Sequence, residues 1–322
     1  MQQSSSTVTP HQNGYMMRRF IIAASAVFLA ALSMSAQTTG DEFNSRYESL
    51  VKRVGYDGIG VETLLNKWEA AFPEDENMLV GKFNYYLGKS VRSEVVEKTQ
   101  ERFMGEKPFL SLKDSLGNDI HYFQESFYED SLFAMSSQAI DKAIKLFPDR
   151  LDLRFFKITA LLAYEKESPD MATSALSGLI DYNGTSHPAW KYEGESVDGE
   201  LFESAIQEYC ASLYSIGSPT SYESFRTLSE KMLKYSPDNS VFMTNLGTYY
   251  FIAKKDNKAA LKYYNKVLKK EPDNYTAIKN SVLMARKDKN VKLEKKYLPM
   301  LVKYSPDEME RMTAKTRLDS LK

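Results

Sequence analysis

Side chains able to do chemistry are thinly supplied in this chain. It carries three His, and after the first forty residues only His121 and His187 remain. A zinc site draws three or four ligands from short spacings, and two His 66 residues apart form no such set. Each therefore reads as a polar surface residue. The single Cys, Cys210, has no partner for an internal disulfide. It shares an apolar helical stripe with Ile206 and Leu213, which makes it a small buried hydrophobe. No Gly-x-Ser-x-Gly, His-Glu-x-x-His, phosphate-loop or Cys-x-x-Cys pattern occurs. Gly55, Gly58 and Gly60 form a glycine run with no strand before it, so they read as a connector between helices. Glu74-Asp75-Glu76 follows Pro73 and suits a first helical turn, where carboxylates meet the positive end of the helix dipole. A carboxylate pair for acid-base work would have to be assembled by the fold. No catalytic residue, metal site or cofactor is expected. Three Asp-Ser-Leu tripeptides, at 114–116, 130–132 and 319–321, match the Asp-Ser/Thr-apolar acceptor that some Gram-negative bacteria O-glycosylate on exported proteins.

The elements that must position these residues are helices. With 43% hydrophobic and 26% charged side chains, the 322 residues can build a core. Twenty-one Tyr and seventeen Phe against fifteen Gly and eleven Pro favour long helices with aromatic rings between them. Pro237-Asp238-Asn239, Pro272-Asp273-Asn274 and Pro306-Asp307-Glu308 recur 35 and 34 residues apart. Each follows a helical pattern. Proline cannot continue that helix but fits the first turn of the next, while Asp or Asn satisfies its free N–H groups. A helix-turn-helix array follows.

Residues 240–272 resemble one tetratricopeptide (TPR) unit. Asn245-Leu246-Gly247 with Tyr249-Tyr250 matches the first helix of that family, whose Gly lets the second helix approach. Ala260 and Tyr264 stand at the small and large positions of the second helix, and Pro272 closes the unit. One extra residue between the helices, and Val267 where the family usually has Ala, are the departures. The resemblance implies a concave face lined by first-helix residues one turn apart, here Thr244, Thr248 and Phe251. Chaperone-binding members grip a carboxylate with Lys, Arg and Asn at such positions. Thr244 and Thr248 replace those residues, so that clamp is not expected.

Elsewhere the pattern is weaker. Residues 275–306 keep the length but lack Leu-Gly, and Pro299 is expected to kink the second helix. Second-helix patterns also end at Pro73 and Pro148, 75 residues apart, more than two units, so an insertion lies between them. Within it, 109–113 and 120–123 flank a Gly-Asn-Asp loop and read as a small β-hairpin near 108–124. Residues 151–165 and 201–216 read as helices, and 181–199, with Asn183-Gly184 and Pro188, as a loop. Phe83, Tyr85, Tyr86 and Trp190 could line a groove, although aromatic residues at helical spacing usually belong to a core.

At the N-terminus, Arg18-Arg19, the uncharged run of thirteen residues from Phe20 to Leu32, and Ser-Met-Ser-Ala-Gln compose a secretory signal cleaved after Ala36. The run is shorter than the about 20 residues that span a bilayer. Residues 1–15 are polar and have no part in that signal, which leaves Met1, Met16 and Met17 as alternative starts. The organisation is thus an extension and leader at 1–36, a degenerate TPR-like region with insertions at 37–236, and TPR repeats at 237–322. From Lys254 to Lys303 there are fifteen basic and five acidic side chains, although the whole chain sums to −1. That stripe reads as the solvated outer face of a solenoid, with attraction of an anionic partner as the other reading.

The expected fold is an all-α, helix-turn-helix (TPR-like) solenoid with a β-hairpin insertion. The expected function is an exported scaffold, periplasmic or extracellular, holding a protein or peptide on its concave face, without nucleic acid or a stable membrane anchor. The competing expectation is a hydrolase or glycan-binding protein with its site in the irregular segments 106–130 and 181–199.

Overall fold

The structure is a computed structural model that describes residues 37–321; the leader expected at 1–36 lies outside them. Helices come in a simple order. The first two pairs are α1 Gln37–Val54 with α2 Val61–Ala71, and α3 Glu76–Ser90 with α4 Asp130–Leu146. Next come α5 Leu151–Glu165, α6 Asp170–Ser186, α7 Gly199–Ile216 and α8 Pro219–Tyr235. The last pairs are α9 Ser240–Ile252 with α10 Asn257–Lys270, and α11 Tyr275–Lys287 with α12 Val291–Tyr304. A final helix, α13, spans Glu308–Ser320. This is the all-α, TPR-like solenoid architecture, with a minor strand content.

Pro73, Pro148, Pro237, Pro272 and Pro306 all fall between helices. The residues after them do the capping that the sequence requires. Asp75 accepts from Met78 N, Asn239 from Val241 N and Phe242 N, Asn274 from Ala277 N, and Asp307 from Met309 N and Glu310 N. Each such cap contributes about 1 kcal/mol to its helix. Gly55 and Gly60 take positive φ between α1 and α2, which confirms the glycine run as a connector.

Two compact units divide the chain. One unit comprises 37–164 with Ala189–Leu201, the other Glu165–Pro188 with Phe202–Lys322. In the first, α2, α3 and α4 bury Leu65, Trp68, Met78, Leu79, Phe83 and Ile140. Tyr85, Tyr86 and Trp190 are buried as well, so the core reading of the aromatic residues holds.

Between α3 and α4 sits a three-stranded antiparallel sheet of order β1-β3-β2, formed by β1 Val91–Lys98, β2 Leu110–Lys113 and β3 Asp119–Tyr128. The expected hairpin is β2–β3, with Lys113 opposite Asp119. The strand that sequence reading missed is β1, which pairs along β3 from Val91↔Tyr128 to Lys98↔His121. Glu129 N donates to Ser90 O at 2.9 Å, so the sheet leaves and rejoins the helices at one point. A single helix pair with this insertion therefore fills the interval from Pro73 to Pro148.

The expected loop at 181–199 is helical in its first part. Asp181–Ser186 continue α6 despite Asn183-Gly184, and only the residues beyond leave the helix, forming the two-residue strands β4 Lys191–Tyr192 and β5 Glu195–Ser196. Gly184 is held there by packing: a Cβ added to it would lie 2.3 Å from the Tyr235 ring. Contact of that kind outweighs the roughly 1 kcal/mol by which Gly disfavours a helix.

In the second unit, α9 to α12 form a continuous core through Met243, Ala260, Tyr264, Val267, Ile278, Tyr297 and Leu298. On α10 the buried residues Ala260, Tyr264, Val267 and Leu268 recur at helical spacing, while Lys262, Lys266 and Lys269 lie exposed on the other side. Gly247 marks the close approach: a Cβ there would meet the Tyr264 ring at 2.4 Å. The reason for the Leu-Gly signature is thereby visible. Pro299 lies inside α12.

Candidate functional site

The groove residues expected from the sequence do structural work. Thr244 is buried, and its hydroxyl donates to Ser240 O one turn back. Thr248 lies at a junction of three helices: its hydroxyl donates to Thr244 O at 3.0 Å, bonds with Tyr264 OH at 3.2 Å and accepts from Asn280 Nδ2 at 3.1 Å. Phe251 is only 5% exposed, packed in the core with Lys287 Nζ 5.3 Å above its ring. An open lining at Phe251 is thus replaced by core packing. The physical reason is the neighbouring α11, which covers that side of α9.

Polar links of this kind tie successive first helices together. Asn245, on α9, donates to Gln207 of α7 at 2.7 Å, and Asn280, on α11, reaches Thr248 of α9. Both Asn residues are buried, and the hydrogen bonds repay their desolvation. Sequence reading missed Asn280 and Gln207. A polar residue inside an apolar run, as at Ile278-Lys279-Asn280-Ser281-Val282, was the available signal.

An open cleft lies between α11 and α13. Lys279, Leu283 and Arg286 of α11 face Glu310, Thr313 and Ala314 of α13 across a shallow cleft floored by Leu301 and Val282. Lys279 Nζ is 3.0 Å from Glu310, whose carboxylate also accepts from Tyr275 OH at 2.7 Å and Ser305 Oγ at 2.6 Å. These donors hold Glu310 below the usual carboxylate range against its burial. Elsewhere on α13, Met309 and Met312 are 68% and 60% exposed and lie at helical spacing with Thr316. Exposed Met side chains adapt their shape to an apolar partner.

Next to it, Glu294 of α12 is almost fully buried between two arginines. Arg286 Nε donates to its Oε1 at 2.8 Å, while Arg317 donates to both oxygens, at 3.0 and 2.9 Å. The Arg317 bonds above all depress the Glu294 pKa, keeping it charged. One carboxylate thereby joins α11, α12 and α13.

No family model matches the chain, and no curated protein matches it. Among solved structures it is similar to the flexible tandem repeat domain of a bacterial cellulose synthase component, with 13% identity. That match covers 88% of this chain and 97% of the other, at a TM-score of 0.27. The arrangement of helix pairs given above stands on this chain's own capping and packing.

His121 is buried on β3, not at the surface, and its Nδ1 lies 2.8 Å from Ser111 Oγ on β2. A Ser-His pair of this geometry becomes nucleophilic when a carboxylate orients the imidazole and stabilises its charge. Opposite His121 on β1 stands Lys98, a cation, itself 3.6 Å from Glu125 and 4.1 Å above the Phe103 ring. The pair therefore reads as a satisfied cross-strand contact. His187 ends α6 in a left-handed conformation, exposed, in the other compact unit. Among the described residues no group of three His, Cys, Asp or Glu could hold a metal. None of the described helices is long and apolar enough to cross a membrane.

Cys210 is fully buried, and burial pushes its thiol up to about 12, so it stays protonated and inert. Of the Asp-Ser-Leu serines, Ser115 lies exposed in the β2–β3 turn, where Asp114 accepts from Leu116 N and Asn118 N at 2.8 Å each. Ser131 is bonded to the Glu129 cap and Ser320 to Arg317 O.

Proposed function

We propose that this chain is an exported TPR-type scaffold that holds a protein or peptide partner on the α11/α13 face, periplasmic or extracellular in a Gram-negative-like cell. The observation that carries this reading is the charged cleft of Lys279, Arg286 and Glu310 between α11 and α13, with Met309 and Met312 exposed elsewhere on α13. A helix pair cannot bury its apolar face alone, so stacked pairs expose long first-helix surfaces suited to macromolecules rather than to small substrates. The leader-like segment at 16–36 supports export. No catalysis, nucleic acid or stable membrane anchor enters this proposal, and its partner surface is shifted from Thr244, Thr248 and Phe251 to the next first helices.

A photo-crosslinking amino acid placed at Met312 or Leu283 in the native cell tests it, with Lys262 on the outer side of α10 as the comparison. Discrete adducts from Met312 and Leu283, and none from Lys262, are expected. Equal labelling from all three positions, or none from the cleft, would remove the reading.

A further inference from the structure

We infer that the open pocket between the C-terminal ends of α11 and α13 binds a phosphate-type dianion. The pocket has a volume of about 460 Å³ and is lined by Arg286, Lys289, Val291, Glu294, Thr313 and Arg317. Three of these side chains are cationic and one is anionic, so the lining carries two uncompensated positive charges. Neutralising a buried Glu294 needs one cation. The structure supplies two arginines and places a lysine beside them.

The donors are specific. Glu294 engages Arg286 only through Nε, which leaves both Nη groups of a side chain 35% exposed. It engages Arg317 through Nε and Nη2, which leaves Nη1 of a side chain 44% exposed. Because Glu294 fixes one edge of each guanidinium, the remaining N–H groups are oriented before any ligand arrives. Preorganised, charge-assisted donors of this kind are the strong ones. Lys289 adds a mobile ammonium, held on a backbone of positive φ (53°) just after α11.

Of the nearby acids, Glu310 is paired with Lys279 at 3.0 Å, and the Asp288 carboxylate accepts from the neutral Asn257 amide and keeps its charge. The Thr313 hydroxyl donates to Met309 O at 2.8 Å and so brings no proton to a ligand. Donors therefore converge from α11, from the residue after it and from α13. A tetrahedral oxyanion with three accepting oxygens and close to two charges suits that set better than a planar carboxylate with one charge. The inference stands apart from the scaffold reading, since it needs no macromolecular partner.

The test titrates inorganic phosphate into the isotope-labelled full chain at constant ionic strength, following the Arg286 and Arg317 Nε–Hε signals by nuclear magnetic resonance. Acetate serves as the carboxylate comparison and glycerol phosphate as the ester. Saturable shifts with phosphate and weak ones with acetate are expected. Arg286→Met should weaken phosphate binding about tenfold by removing a charge-assisted contact. Lys289→Gly should weaken it about threefold through the loss of one solvent-screened charge. Gly accepts the positive φ at 289, so the second variant keeps the fold. A stronger response to glycerol phosphate than to phosphate would assign the site to phosphorylated head groups, and a weaker one to the free ion; either supports it. A linear, unsaturable response, acetate binding as tightly as phosphate, or an unchanged affinity in Lys289→Gly overturns it.

Discussion

Between α9 and α10 the chain turns within four residues and Gly247 presses against Tyr264, whereas between α3 and α4 it runs through an entire three-stranded sheet before the pair closes. The second pair is joined instead by Ser136 Oγ donating to Phe83 O at 2.9 Å and by the Glu129–Ser90 backbone bond. Both pairs still bury an unbroken apolar face, Phe242, Leu246 and Tyr264 in one, Leu79, Phe83 and Ile140 in the other. The difference teaches that a helix pair here is specified by its facing side chains, and that the connection is free to carry an insertion. Loop-closure cost grows only slowly with length, about 0.6 kcal/mol per doubling, which makes such an insertion tolerable.

The strongest way to break this comparison is at the close contact. Tyr264→Ala should destabilise the second unit by about 4 kcal/mol, because it empties a fully buried site bounded by Gly247 and Thr248. Gly247→Ala should cost about 2 kcal/mol by overpacking against the ring. Gly81→Ala should cost clearly less: its new methyl would meet Leu65 Cδ2 at 2.8 Å, the far end of a flexible side chain. Chemical denaturation of the three variants checks the order. Equal losses at Gly247 and Gly81 would erase the distinction drawn between the pairs.

A smaller effect should come from the ionic junction. Glu294 has its pKa depressed in the folded chain, so the stability it contributes is present above the unfolded carboxylate value and lost as pH falls through the folded value. Glu294→Gln should destabilise α13 docking by about 2 kcal/mol at neutral pH. The gap to the parent chain should shrink below about pH 4, where the unfolded carboxyl itself takes up a proton. Thermal melts across that range measure it. A gap that stays constant with pH would mean that Glu294 acts through packing, not charge.

The smallest effect is expected from excision of the sheet. Replacing 91–128 by a short glycine linker should leave α3 and α4 paired and the melting temperature nearly unchanged, since Ser90 O and Glu129 N already lie 2.9 Å apart. Retained helical circular dichroism with cooperative melting is the expected readout. Collapse of the first unit would show that the sheet is required to close the pair.

Much of the fold was legible because α9 to α12 repeat at nearly constant spacing, so each Pro-Asx step announces a boundary and each apolar residue recurs on schedule. Upstream the same grammar was present but interrupted. Between Pro73 and Pro148 the sheet displaced the second helix from its expected distance, and β1 was missed because Val91-Arg92-Ser93-Glu94-Val95-Val96 has no clean alternation. Both of its faces are largely exposed, so no burial pattern was imposed on it. The candidate site was less legible than the fold. Family resemblance pointed to Thr244, Thr248 and Phe251, yet whether a first-helix residue faces a groove or the next helix depends on what packs over it, and α11 covers Phe251.

By itself the sequence determined the helices, their caps and the close approach at Gly247, because each depends on residues within one or two turns of one another. Tertiary structure alone decided which first-helix side chains stay open, that His121 meets Ser111 rather than solvent, and that Arg286 and Arg317 share Glu294. Those outcomes join residues distant along the chain, and they depend on where neighbouring helices and strands exclude water, a property that no local spacing encodes.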